Sequence, residues 1–310
     1  VVAPLMLVRL HEYPLVLALS ILLLKDKAFG GVKVNWKDVS HPLLIGLVAV
    51  ALPFAVKYRG IINIPFDLRL ALLILAVPIL SFYGRPLRFA LGVVALMWAA
   101  SFYPTRHGWA VHQERSFYNV HRVVLDPRAD RLWLQNGNTV HGGQNRDPRL
   151  DRIPLTYYHP SGPLGDVMAA VWKSERADPV AVIGLGVGSM ISYARAGEEW
   201  SFFELDPAVV RLARDSGYFT YMQKSRAPTR IVLGDGRTNL EKEPNGHFGL
   251  IVVDAFGSDA VPVHLLTREA VGMYTAKLTR DGILTFHVSN RYVDLTPILG
   301  AAAWDAGLSM

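Results

Sequence analysis

The 310-residue chain has no cysteine. That excludes disulfides, thiolate zinc sites and cysteine nucleophiles. Charge is also scarce: Asp, Glu, Lys and Arg make up 19% of the residues, against about 25% in soluble proteins. The net charge of +6 is modest, and its basic residues are scattered beside acids, as in Asp126-Pro127-Arg128-Ala129-Asp130-Arg131. No basic stripe interleaved with aromatics runs along the chain, so nucleic acid is not an expected partner. Internal repeats and low-complexity tracts are absent. His264 and His287 have no second ligand at metal spacing. They read as packing or loop-anchoring residues, and no metal is expected.

The shortage of charge is concentrated in residues 1–105. Four apolar runs lie there, Tyr13–Leu24, Pro42–Val56, Leu68–Tyr83 and Leu87–Tyr103. The last two approach the roughly 20 residues that cross a bilayer, each with one arginine near its start, Arg69 and Arg88, able to snorkel to the interface. Residues 1–105 therefore read as an N-terminal α-helical transmembrane domain of three or four helices, with membrane lipid as a partner. Trp98, Tyr103 and Trp109 suit an interfacial belt. The opening Val1-Val2-Ala3-Pro4 is not a charged leader and reads as the interior of a longer protein. Lysines in the loop 25–41 and basic residues in 57–69 leave the positive-inside rule without a clean topology.

Residues 106–164 read as a small β-hairpin domain. Val120–Leu125 and Arg131–Leu134 are β-prone runs, with turn chemistry at 126–130 and 136–138. Residues 165–310 alternate helix and strand, which implies a parallel sheet. The expected strands are 180–183, 200–205, 230–233, 250–254 and 282–288. Helices are expected over 165–176, from about 189, and over 207–215, 267–278 and 295–306. A fold of this class ordinarily continues with a final antiparallel hairpin, so the domain is expected to lack its last strands.

Chemistry concentrates at the strand ends. Strand 180–183 runs into Gly184-Leu185-Gly186-Val187-Gly188. Glycines permit a tight turn and close approach of the backbone to a ligand, and a following helix start offers free N–H groups. Glu204 follows twenty residues after Gly184, the spacing of a ribose-binding carboxylate. Asp235 and Gly236 close the next strand, where Asp235 can accept from an adenine amino group or simply make a turn. Asp254 ends the fourth strand, with Asp259 five residues on. Two carboxylates beside a sulfonium suit a cationic amine, one taking a proton and one holding the cation.

On these residues, 112–306 resembles spermidine synthases and their membrane-fused bacterial relatives. The subgroup match is in Asp254-Ala255-Phe256-Gly257-Ser258-Asp259, Pro154-Leu155-Thr156-Tyr157-Tyr158-His159 and His287-Val288-Ser289-Asn290-Arg291-Tyr292. The resemblance implies an α/β class I methyltransferase-like (Rossmann-like) domain. It also implies transfer of an aminopropyl group from decarboxylated S-adenosylmethionine to a small polyamine. It makes Asp254 the general base, Gly184, Gly186, Gly188, Glu204, Asp235 and Gly236 the cofactor site, and Tyr158, His159, Asp259 and Gln144 the amine site. Three features depart from the family. Leu185 and Val187 stand where its loop usually has an aspartate, Ser116-Phe117-Tyr118-Asn119 replaces its Ser-x-Tyr-Gln, and Asp254 and Asp259 are five apart rather than three. A methyltransferase using S-adenosylmethionine itself, and a non-catalytic subunit of a membrane complex or homo-oligomer, stay open. The cofactor is made in the cytoplasm, so the expected location is the bacterial inner (cytoplasmic) membrane with the soluble part facing inward.

Overall fold

A computed structural model describes residues 12–23, 34–58, 68–137, 139–173, 177–256, 261–289 and 293–309. The chain divides into two compact units, Val1–Trp109 and Ala110–Met310.

The first unit holds four helices, α1 (Glu12–Leu23), α2 (Lys37–Tyr58), α3 (Leu68–Leu80) and α4 (Pro86–Ala100). Among the described residues only α2 is long and apolar enough to cross a membrane; the others run 10–17 residues. A Cβ on Gly46 of α2 would stand 3.0 Å from the Cβ of Ala95 on α4, so small residues let these two backbones approach. Asp38, at the start of α2, is buried and pairs with Arg88 of α4 at 2.8 Å and Arg85 at 3.6 Å. The outer faces stay apolar: Leu43, Leu44, Leu47, Leu73, Val77 and Leu80 are exposed.

The second unit contains two sheets. Strands β1 (Trp109–Arg115), β2 (Val120–Asp126), β3 (Arg131–Asn136) and β4 (Thr139–Asn145) form a four-stranded sheet in chain order. The expected hairpin is its antiparallel centre, with Val123 opposite Leu134 and Asp126 opposite Arg131. The flanking strands escape a sequence reading because β1 is polar and β4 contains Gly142-Gly143. A Cβ at Gly143 would collide with the Trp133 ring across the ladder, so that glycine gives the indole its place.

The second sheet has the order β7-β6-β5-β8-β9, every neighbouring pair parallel. Its strands are β5 (Val180–Ile183), β6 (Trp200–Glu204), β7 (Thr229–Leu233), β8 (Phe248–Val253) and β9 (Leu278–Phe286). This is the doubly wound order of a class I methyltransferase-like Rossmann fold. The strand order reverses between β5 and β8, and the crevice outside their carboxyl ends is where such sheets bind ligands. The central strands are buried throughout, as expected of strands covered on both faces. β9 begins four residues earlier than its sequence suggests. It lies at the sheet edge, where exposed Arg280 and Asp281 are tolerated.

Between the strands lie α5 (Pro163–Lys173), α6 (Pro207–Val210, continued by one π turn to Asp215), α7 (Tyr221–Lys224), α8 (Gly236–Leu240), α9 (Arg268–Lys277) and α10 (Thr296–Asp305). After the glycine loop, where a helix is expected, there is only a 3-10 turn, Ser189–Tyr193. Val123 and Leu134 of the first sheet share one core with Val182, Phe202 and Leu250 of the second. The two sheets therefore lie in one compact unit.

Candidate active site

The ends of β5, β6 and β8 open into a cavity of about 670 Å³. Gly184 leaves β5 at φ +100°, and a Cβ there would run into the Asp254 carbonyl. Gly186 turns at φ +53°, and a Cβ on it would lie 2.7 Å from the His141 carbonyl oxygen. Any other residue at either position meets both a strained backbone and a clash. The third glycine of the loop acts differently. Gly188 turns at φ +75°, and a Cβ on it would meet Met222 at 2.7 Å; it stands outside the cavity wall.

Glu204 ends β6 buried, at 9% exposure. Its Oε2 accepts from the Leu185 N–H at 2.9 Å and its Oε1 from the Asp206 N–H at 2.8 Å. Burial raises its pKa, and the two backbone hydrogen bonds only partly offset this. Each oxygen still has a lone pair to offer a ligand hydroxyl. Asp235 caps α8 by accepting from the Thr238 N–H at 2.8 Å, while its other oxygen meets His264 Nε2 at 2.8 Å. Burial would raise the Asp235 pKa, but these hydrogen bonds outweigh it and hold the pKa low. Gly236 fits tightly above Ile183, with 2.5 Å from an added Cβ to Cγ2.

Asp254 lies at the other end, its side chain 5% exposed. Oδ1 meets His287 Nδ1 at 2.6 Å. Oδ2 accepts from the hydroxyl of Tyr157 at 2.9 Å and from that of Tyr158. Burial raises the Asp254 pKa beyond what His287 and Tyr157 offset. Burial, and then the Asp254 charge, push the Tyr157 phenol far up, so it remains a donor. Thr156 opens the turn carrying both tyrosines at φ +63°. A β-branched residue rarely adopts that conformation, and such strain, about 1–3 kcal/mol, is held only by surrounding structure.

Asp206, outside the expected set, also lines the cavity. It accepts from His121 Nε2 at 2.8 Å, from Ser116 Oγ and from the Ala208 N–H at 2.9 Å. These hydrogen bonds, His121 foremost, outweigh burial and lower its pKa.

The structure brings Gly184, Gly186, Glu204, Asp235, Gly236, Tyr158 and Asp254 to one cavity. Two expected amine-site residues lie elsewhere. Gln144 is buried away from the cavity wall, its amide spent on the Asp151 carbonyl at 2.7 Å and on Thr220 N and Oγ1 at 2.7 and 2.9 Å. His159 is exposed and pairs with Ser161 Oγ at 2.7 Å. Asp259 and 290–292 lie outside the described residues. His287, expected only to pack, instead lines the cavity against Asp254. Tyr157 was also missed; its adjacency to Tyr158 was its one sequence signal. Among the described residues, no group of three or more His, Asp or Glu could hold a metal ion.

No family model matches the chain. A polyamine aminopropyltransferase of Vibrio vulnificus (strain CMCP6) is 27% identical over 194 residues, covering 59% of this chain and 61% of that protein. The chain thus spans about three fifths of the length of that curated relative. Among solved structures, spermidine synthase from Thermotoga maritima aligns at TM-score 0.46 and 17% identity, covering 64% of this chain and 63% of that one. A probable spermidine synthase from Corynebacterium glutamicum ATCC 13032 aligns at TM-score 0.46 and 18% identity, over 56% and 62%. In its sequence, the chain is similar to that polyamine aminopropyltransferase.

Proposed function

We propose that the chain is a membrane-anchored aminopropyltransferase, moving the aminopropyl group of decarboxylated S-adenosylmethionine to a small polyamine. The observation behind this reading is the charge of the cavity. Glu204, Asp206, Asp235 and Asp254 line it, and no lysine or arginine does so among the described residues. Such a wall favours a sulfonium and an ammonium, and offers the carboxylate of intact S-adenosylmethionine no lysine or arginine among the described residues. In this reading Gly184, Gly186, Glu204, Asp235 and Gly236 hold the nucleoside, with Glu204 on the ribose hydroxyls and Asp235 on the adenine amino group. Asp254, with the tyrosines donating to it, anchors the amine end, and Asp259 follows five residues on in the sequence. The apolar outer faces of α1–α4 support an anchor in the bacterial inner membrane, the second unit facing the cytoplasm.

Leu185 and Val187, in place of the family's loop aspartate, favour a second reading, methyl transfer from S-adenosylmethionine. Full-length protein in detergent, given either sulfonium with putrescine, separates the two. Spermidine and methylthioadenosine are expected from the decarboxylated form. Methylated amine and S-adenosylhomocysteine from the other form would establish the second reading.

A further inference from the structure

Asp254 has about four lone-pair sites as a carboxylate, and three already face Tyr157, Tyr158 and His287. Its side chain is almost wholly enclosed, whereas that of His287 is 21% exposed and belongs to the cavity wall. The His287 ring packs against the rings of Tyr157 at 4.1 Å and Phe256 at 4.5 Å between centroids. Its backbone N–H is fixed to the Val253 carbonyl at 2.9 Å. With Nδ1 donating to Asp254, the tautomer leaves Nε2 as the unprotonated acceptor, the arrangement by which a carboxylate orients an imidazole base.

We infer that His287 Nε2, oriented by Asp254, is the atom that takes the proton from the attacking amine. Asp254 is then a positioning residue, and the buried tyrosines keep its oxygens from competing for the substrate. This deepens the aminopropyltransferase reading and rests on it. The substrate ammonium gives one proton to Nε2 and becomes a neutral amine. Its lone pair forms the new C–N bond to the carbon attached to sulfur. The C–S bond breaks, its electron pair stays on sulfur as a neutral thioether, and the new secondary amine leaves as an ammonium. Of the described groups packed on the ring, Asp254 and Tyr157 are titratable and Phe256 is not.

The test uses full-length protein with decarboxylated S-adenosylmethionine and putrescine. His287→Gln can still donate an N–H to Asp254 but cannot take up the proton. It should lower kcat about 10²- to 10⁴-fold, the usual share of general-base catalysis, and remove the acid limb of the wild-type kcat profile. His287→Ala should be similarly slow, and added imidazole should restore at least tenfold of its rate. Methylthioadenosine affinity, measured by calorimetry, should stay within threefold in both variants, showing that the fold is retained. A His287→Gln enzyme that keeps wild-type turnover and acid limb overturns the inference alone. So does an alanine variant that binds methylthioadenosine but is not rescued. Absence of wild-type turnover with this substrate pair overturns the aminopropyltransferase reading, and the inference with it.

Discussion

The two ends of the cavity hold their carboxylates differently. At the glycine-loop end, Glu204 is fixed by the backbone N–H groups of Leu185 and Asp206, and Asp235 by that of Thr238 together with the His264 side chain. The backbone partners come from the loop of the neighbouring strand β5 or from the same turn. At the amine end, Asp254 is fixed by side chains 97, 96 and 33 residues away. A backbone donor is supplied by strand and turn geometry whatever the side chain there. A side-chain donor is lost with a single substitution. Glu204 is therefore the robust part of the site, Asp235 is intermediate, and Asp254 is the part most easily altered by a single substitution.

The largest expected effect separates the ends directly. Asp254→Asn should cost about 10³-fold in turnover while leaving methylthioadenosine affinity within threefold by calorimetry. Equal loss of both would mean that the two ends are not independent. Next is Gly184→Ala, which places a Cβ against the Asp254 carbonyl at φ +100°. About 3 kcal/mol of stability should be lost, read as a lower urea midpoint, and binding should fall with it because this glycine joins both ends.

Smaller is Glu204→Gln. It keeps the shape but removes a charged acceptor, worth about 1.5–3 kcal/mol, so methylthioadenosine should bind roughly ten- to a hundredfold more weakly. Unchanged binding would remove Glu204 from the ribose. The smallest effect is on stability against pH. Burial raises the folded-state pKa of Asp254, so the folded state binds its proton more tightly than the unfolded chain does. This contribution is present below the unfolded carboxylate pKa and is lost as pH rises through the raised value. Tm of Asp254→Asn relative to wild type should therefore move in the variant's favour as pH rises above about 4, the unfolded carboxylate value. A constant gap would contradict the raised pKa.

The same contrast explains what the sequence made legible. Strand 180–183 and its loop, Glu204 at the next strand end and Asp235 after the third are successive local signals, and the parallel sheet follows from the alternation of strands and helices. His287 and Tyr157 carry no local signal. Their roles exist only because β9 lies beside β8 and the 156–158 turn reaches the same strand end. Gln144 misled for the converse reason: a buried amide in a glycine-rich strand resembles a ligand contact until Thr220 and the Asp151 carbonyl are seen to occupy it. Exposed elements were the least legible: polar β1 gave no strand signal, and β9 begins four residues before its apolar run. In the first unit, apolar composition was evident, but among the described residues only α2 reaches spanning length.

The central claim, an acidic cavity selective for a sulfonium without a carboxylate, is tested most directly by calorimetry of full-length protein with the two cofactor forms under identical conditions. Decarboxylated S-adenosylmethionine should bind at least tenfold more tightly than S-adenosylmethionine. Equal affinities, or tighter binding of the carboxylated form, would contradict the account.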